Sequence, residues 1–326
     1  MKVIAYHNYG APEVLQIEQW RSPVPKEDEL LVRVHAAEVT KSDCEMRSFN
    51  FSVSWFWLPL RLMLGVFKPK KNVLGGYFSG EIVKTGDNVS SFSVGDQIFG
   101  CTQFKLGAYG EYLIVPEHYT LVSKPENLSF EDAAAVPLGG LNALHFLNRA
   151  NIQSGEQVLI VGAGGSIGVF GIQIAKTFGA IITAVDAPHK ETMLRRIGVD
   201  HFIDYTQSDF TLASQKYDVI FDMVAQKSYS GRVASLSSGG RWLLANPRFS
   251  DMIRSIFTPL FTDKKVWFSF AGEKLVELQH LKNLLENGSI SAVVDRVFSM
   301  EEIAEAHHYV ESEQRLGSVV VLIKTD

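Results

Sequence analysis

The sequence predicts an α/β chain of two domains, one β-rich and one built on a doubly wound parallel sheet. Three observations predict it. Gln157 to Lys176 reads QVLIVGAGGSIGVFGIQIAK, an apolar β-branched run, a glycine-dense turn and an amphipathic helix. Six apolar runs alternate with helical connections between residues 158 and 270. The first 120 residues have a different texture, short β-like runs broken by Gly, Pro and Asp. A chain of 326 residues is long enough for two separate cores.

The elements follow in order. KVIAY, LLVRVHAAEV and GEIVKTG read as strands, with tight turns at Gly95-Asp96 and from Gly107 to Gly110. From Ser129 the segment FEDAAAVPLGGLNALHFLNRA takes helical spacing, interrupted by Pro137 and Gly139-Gly140. The predicted parallel strands are Val158–Val161, Ile181–Val185, His201–Ile203, Val219–Met223, Arg241–Ala245 and Val266–Phe270. Helices run to Phe178 and through Arg196, and PRFSDMIRSIFTPLF reads as a helical cap. The chain closes with strand AVVDRVF, helix EEIAEAHHYVES and strand SVVVLIK, which needs an N-terminal sheet to pair with. Residues 1–122 with 291–326 are therefore expected as the β-rich domain, and 123–290 as the parallel-sheet domain.

Bulk composition excludes several classes. With 46% hydrophobic residues and a net charge of −5, no basic excess exists to hold a nucleic-acid backbone. Two cysteines, Cys44 and Cys101, supply neither a disulfide framework nor a four-cysteine metal site. MKVIAYHNYG lacks the apolar core of a secretory signal, so a reducing, cytoplasmic location is expected. Phe51 to Phe67, FSVSWFWLPLRLMLGVF, stands apart. Pro59 and Arg61 in its middle argue against a membrane span. Two readings stay open for it: a segment packed over a ligand cleft, or an interfacial element that grips a membrane or lipid-like substrate. Lys68, Lys70 and Lys71 would extend that contact, through 51–71, to anionic head groups.

The glycine turn carries the first functional expectation. Gly162, Gly164, Gly165 and Gly168 allow a sharp turn and close ligand approach, and the following helix points N–H groups and its positive end at the turn. A dinucleotide pyrophosphate fits that arrangement. Asp186 ends the next apolar run, eighteen residues past Gly168, where it could accept from an adenosine ribose.

Further motifs now make the chain resemble the medium-chain dehydrogenase/reductase superfamily, zinc-free quinone oxidoreductase branch. They are GAPEVLQI, HAAEVTKSDCEMR, LGGYFSGEIVKTGDNVSSFSVGDQIFG, AAAVPLGGLNAL, GAGGSIGVFGIQIAK, IGVDHFIDY, LSSGGRW and HYVESEQRLGSVVVLIK, spread over essentially the whole chain. The resemblance implies a GroES-like catalytic domain, a Rossmann domain, an active cleft between them and a homodimer or homotetramer. Zinc-dependent relatives carry Gly-His-Glu where this chain has Gly75-Gly76-Tyr77, and Cys44 alone cannot complete a tetrahedral site. The four closely spaced cysteines of their structural zinc site are also missing, so no zinc is expected. Cys44 reads as a small apolar side chain, and His307 and His308 as packing and surface residues.

Without a metal, the expected reaction is hydride delivery from a nicotinamide to a small apolar quinone or enone, which spreads the incoming charge onto oxygen. The branch's Asn-x-x-Asp segment reads Thr40-Lys41-Ser42-Asp43 here, and a tyrosine common two residues later is Glu45. The resemblance thus implies cofactor contacts at Thr40 and Asp43, with Lys41, Ser42 and Tyr77 as candidate donors to a carbonyl oxygen. It places Asn142 by the nicotinamide and Tyr205 by the adenosine phosphate; Ser166, Ile167 and Asn246 complete the cofactor set. Cofactor identity draws two opposed signals. Asp186 would repel a 2′-phosphate, whereas Lys190, beside His189, matches a lysine that holds one. NAD(P)H is expected, with NADH favoured. Two competing readings are a nucleotide-binding scaffold or membrane-associated protein with little turnover, and a zinc-dependent alcohol dehydrogenase.

Overall fold

The computed structural model describes residues 1–51, 57–224, 228–269 and 271–323. Positions 52–56 of the apolar segment Phe51–Phe67 lie outside the described residues, as do Phe270 and Lys324 at the ends of two expected strands. The chain divides into two compact units. One comprises Met1–Leu138, Glu273–Asn287 and Ala292–Asp326; the other comprises Gly139–Gly272 and Gly288–Ser291.

In the first unit, β1 (Lys2–Ala5) pairs antiparallel with β2 (Gln16–Gln19). The sequence QIEQ has no apolar face, which is why periodicity did not predict β2. Strand β3 (Glu29–Val39) buries alternate residues until Ala36, after which the chain is buried on both faces. Helix α1 (Lys41–Ser48) starts from a capping box in which Thr40 and Asp43 satisfy one another's backbone N–H groups. Then come α2 (Trp57–Leu64), β4 (Tyr77–Thr85), β5 (Gln97–Cys101), β6 (Tyr112–Pro116), β7 (Leu121–Ser123) and α3 (Phe130–Ala134).

The chain next forms α4 (Val136–Ala150), β8 (Gln157–Val161), α5 (Ser166–Thr177), β9 (Ile181–Asp186), α6 (Glu191–Arg196) and β10 (His201–Asp204). It continues through β11 (Tyr217–Asp222), α7 (Tyr229–Ala234), β12 (Leu236–Leu244), α8 (Phe249–Phe261) and β13 (Lys265–Phe268). It ends with α9 (Leu275–Glu286), β14 (Val294–Phe298), α10 (Ile303–Glu311) and β15 (Ser318–Leu322).

Among the described residues the second unit holds one six-stranded parallel sheet, ordered β10-β9-β8-β11-β12-β13. Its central strands are buried runs such as VLIV and IFD because helices cover both faces. The order reverses between β8 and β11, and that switch point is where open α/β sheets form a ligand crevice. Strand β12 begins five residues before the expected Arg241: a register shift lets Ser237–Gly240 bulge while Asp263 accepts from Ser238 Oγ at 2.6 Å.

The first unit's main sheet runs β14-β15-β3-β4-β5-β7, with β6 also on β3. The terminal strand β15 lies antiparallel to β3, matching Val319 with Val39. Helices α3 and α9 belong to this unit, although the sequence boundaries at 122/123 and 290/291 assign them to the other. Tertiary contacts decide it. Phe130 of α3 stacks on His35 of β3 at 3.9 Å between ring centroids, and Asn127 Nδ2 donates to Leu285 O of α9 at 3.1 Å.

Candidate active site

The nucleotide-type cradle is built at the end of β8. Gly162 takes φ +82°, a region costly for any side chain, and its N–H donates to Val185 O at 3.0 Å. Gly164 N–H donates to Asp186 Oδ2 at 2.7 Å, so the second strand's acid holds the turn in shape. Helix α5 then opens on Gly165, which has no side chain to cap it. A Cβ on Gly168 would sit 2.4 Å from Ala163 O, whereas one on Gly165 would meet nothing nearer than 3.9 Å. The turn is therefore closed toward the protein at Gly168 and open at Gly165. A pyrophosphate approaching backbone N–H groups at a helix start fits that shape. Helix α4 approaches from behind, since a Cβ on Gly139 would lie 2.4 Å from Ser166 O.

Asp186 and Lys190 form a buried ion pair at 3.3 Å. Asp186 Oδ1 also accepts from Ala187 N–H at 2.8 Å. The two opposed sequence signals thus sit on one another, with the Lys190 stem over Gly164. Tyr205 follows β10 with its side chain 56% exposed and its N–H directed at Asp186 O, 3.4 Å away. Asn246, exposed after β12, donates from Nδ2 to Met223 O at 3.1 Å, and Val224 reaches Gly162. Ser166 is buried at the start of α5, Ile167 is half-buried beside it, and Asn142 is half-buried on α4 one turn past Gly139. Gly162–Gly168, Asp186, Lys190, Tyr205 and Asn246 thus lie at or just beyond the carboxyl ends of β8, β9, β10 and β12, while Asn142 stands on α4.

In the first unit, Thr40 and Asp43 are buried. Asp43 Oδ2 accepts from Thr40 N–H at 3.0 Å and from Thr40 Oγ1 at 2.6 Å, and Oδ1 accepts from Gly75 N–H at 3.1 Å. The Tyr109 hydroxyl adds to these donors in holding the carboxyl down, and its own proton is held more tightly in turn. Burial pushes the Asp43 carboxyl up, and these donors pull it back. Asp43 thus ties the start of α1 to the Gly75–Tyr77 turn. Lys41 is exposed and paired with Glu313 at 2.5 Å, and Ser42 is exposed beside it. Both project away from the buried Asp43 contacts.

Behind Asp43, Cys44 Sγ lies 3.4 Å from His307 Nδ1, and Tyr109 Oη lies 3.4 Å from His307 Nε2. Burial raises the thiol to about 12 and lowers the imidazole to about 3. Both are neutral at pH 7, so Cys44 presents no thiolate. Among the described residues no group of three or more His, Cys, Asp or Glu side chains is arranged to hold a metal ion.

Tyr77 opens β4, half-buried, opposite Cys101 of β5. Burial holds its hydroxyl well above the ordinary range, reinforced by Glu273, Cys101, Glu38 and Asp43. Burial raises the Glu273 carboxyl as well, and the Tyr77 hydroxyl opposes that shift. Sequence reasoning missed Glu273, which stands in an unpatterned loop before α9. Glu38 had a visible signal, a charge inside the apolar run HAAEV, and is 1% exposed.

Comparison with known proteins places the chain. The family described as alcohol dehydrogenase GroES-like domain matches residues 26–126, and that described as zinc-binding dehydrogenase matches residues 197–321. The solved quinone oxidoreductase of Coxiella burnetii superposes with a TM-score of 0.87 at 27% identity, covering 99% of each chain. The 2-methylene-furan-3-one reductase of Solanum lycopersicum is 31% identical across 98% of this chain and 79% of its own length. The chain is a medium-chain dehydrogenase/reductase of the quinone oxidoreductase-like branch. This medium-chain dehydrogenase/reductase is also 29% identical to the NADPH-dependent alkenal/one oxidoreductase of Arabidopsis thaliana, over 98% of the chain and 79% of that protein. The fold of the dehydrogenase/reductase accordingly combines a GroES-like domain with a Rossmann-type parallel sheet.

Proposed function

We propose that the chain is an NAD(P)H-dependent oxidoreductase that reduces quinones and α,β-unsaturated carbonyls without a metal ion. The observation that carries this reading is the Gly162–Gly168 turn, shaped by Asp186 and open at Gly165, at the switch point of the parallel sheet. Bound there, a reduced nicotinamide supplies hydride. The chain's own residues seat it: Gly162, Gly164, Gly165, Ser166, Ile167 and Gly168 around the pyrophosphate, Asp186, Lys190 and Tyr205 at the adenosine end, and Asn142, Asn246, Thr40 and Asp43 toward the nicotinamide, with Asp43 acting through the buried frame it holds. Tyr77 takes the donor role ahead of Lys41, whose ammonium Glu313 engages, and ahead of the solvent-facing Ser42. A neutral phenol aimed at a developing oxyanion stabilises it without needing a metal. The neutral Cys44 and the Gly75-Gly76-Tyr77 triplet support a zinc-free reaction.

The Asp186–Lys190 pair supports NADH over NADPH, because a 2′-phosphate would have to displace a buried carboxylate from its ammonium. Asp186→Gly should release Lys190 and shift preference toward NADPH. Nucleotide oxidation by a benzoquinone, a naphthoquinone and a short enone, before and after chelator dialysis, tests both points. Binding without turnover leaves the scaffold reading; a wild-type kcat/KM favouring NADPH by more than about tenfold overturns the NADH preference.

Two assembly readings accompany this one. No residue of α2 is buried, and its only charge, Arg61, folds back over the Phe49 and Tyr9 rings at 4.1 and 4.7 Å. Trp57, Leu58, Leu62, Met63 and the 89%-exposed Phe67 are left outward, ahead of Lys68, Lys70 and Lys71, which supports peripheral contact with anionic membranes. A homodimer is supported by the free edge at β13 and the exposed apolar side chains of α8. Sedimentation velocity should give twice the chain mass, and flotation with anionic vesicles should carry the protein; a monomer, or protein left at the bottom, removes the corresponding reading.

A further inference from the structure

Across the switch point from the glycine turn, the end of β11 hangs on a buried ion pair. Asp222 closes β11 and Arg232 stands in the last turn of α7. Arg232 Nε donates to Asp222 Oδ2 at 2.5 Å, and both side chains are buried. The guanidinium lies 5.7 and 5.9 Å from the ring centroids of Phe210 and Trp242, which flank it with apolar surface. The other carboxylate oxygen, Asp222 Oδ1, accepts from Val224 N–H at 2.9 Å. Met223, between them, is fixed on both sides. Its N–H donates to Val161 O at 3.2 Å, and its carbonyl accepts from Asn246 Nδ2 at 3.1 Å. Ala245 N–H donates to Asp222 O at 2.9 Å, which brings the end of β12 to the same place. Val224 then turns its side chain toward Gly162, where an added Cβ would lie 2.9 Å from Val224 Cγ2. Asp222, Arg232, Val224 and Asn246 line one small cavity.

Two charges taken out of water recover in attraction little more than they lose, so an apolar pair of similar size would serve stability as well. An apolar pair would not give Val224 N–H an acceptor that is itself held from behind. We propose that Asp222 and Arg232 are positioning residues for the nicotinamide half of the nucleotide, in the reduction proposed above, on which this inference rests. The strand order reverses between β8 and β11, so a dinucleotide crossing the switch point has its halves over different strands. The adenosine end belongs to Asp186 and Tyr205, beyond β9 and β10; the nicotinamide end belongs to Val224 and Asn246, beyond β11 and β12. Neither Asp222 nor Arg232 touches the ligand in this scheme. They act through Val224 and Asn246, so their loss should loosen one half of the nucleotide and spare the other.

The test is calorimetric titration of wild type and the double variant Asp222→Leu/Arg232→Met with NADH and with AMP, alongside thermal melts and turnover of a naphthoquinone. The variant should melt as wild type does and bind AMP unchanged. It should bind NADH about tenfold more weakly and lose about ten- to a hundredfold in kcat, because the hydride donor is no longer held in line. The ratio of NADH to AMP affinity decides. A ratio equal to that of wild type overturns the role, whether both ligands weaken or neither does, and so does an unchanged kcat. If the apolar pair does not fold, Asp222→Asn/Arg232→Met takes its place: no guanidinium pins its amide, so NADH should again weaken while AMP does not. Failure of both variants to fold assigns the pair to the fold alone and overturns the inference. A wild type that binds NADH yet turns over no acceptor overturns the reduction itself, and the affinity ratio then still judges the pair.

Discussion

Gly168→Ala is expected to weaken nucleotide binding by about a hundredfold or more, equivalent to roughly 2.7 kcal/mol, and to lower the melting temperature as well. The added Cβ would lie 2.4 Å from Ala163 O and 2.6 Å from both Ala163 C and Gly162 O. All three atoms are backbone of the turn, so no side chain can rotate away. Either the turn opens or α5 lifts, and α5 buries Val169, Phe170, Ile172 and Ile174 in the core. Gly165→Ala separates the two consequences. Its φ of −89° suits alanine and its Cβ meets only Gly162 O, at 3.9 Å, so the fold should be intact. The same Cβ points into the open side of the turn, so binding should still fall. Thermal melts and calorimetric titration with NADH and NADPH read both effects. Affinity retained by Gly165→Ala would show that the turn does not approach the nucleotide.

The second large effect is expected at Asp43. Asp43→Ala should cost about 3–5 kcal/mol in urea unfolding, because it strips a buried acceptor from several donors at once. Thr40 N–H, the Thr40 hydroxyl and Gly75 N–H all lose their acceptor at a position only 1% exposed. Thr40→Ala removes only the helix cap and should cost about 1 kcal/mol. If the two variants were equally stable, Asp43 would be a capping residue and no more. The difference measures its second task, joining α1 to the strand turn that presents Tyr77.

These two sites mark how much could be read in advance. The strand, turn and helix around Gly162–Gly168 were legible because each depends on neighbours within a few residues: β-branched runs extend, glycines permit φ +82°, and apolar spacing makes α5 amphipathic. Asp186 and Lys190 were legible as charges but not as a pair, since a 3₁₀ turn over Pro188–Lys190 brings the ammonium back over Gly164. Asp43 was visible only as a motif position; that it holds Gly75 depends on a strand arriving from thirty-two positions away. Helix α9 looked like part of the alternating α/β run, and only its packing on β7 and the Asn127–Leu285 hydrogen bond place it in the first unit.

Sequence alone determined the plan of one β-rich and one parallel-sheet domain, the glycine cradle and the class of ligand the cradle suits, because periodicity and backbone freedom are local properties. Tertiary structure alone decided which charges neutralise one another, that Cys44 and His307 face each other uncharged, and that Glu273 comes near Tyr77. The physical reason is common to all three. A side chain's charge and reactivity are set by burial and by partners within a few ångströms, and those partners come from chain positions that no local pattern connects.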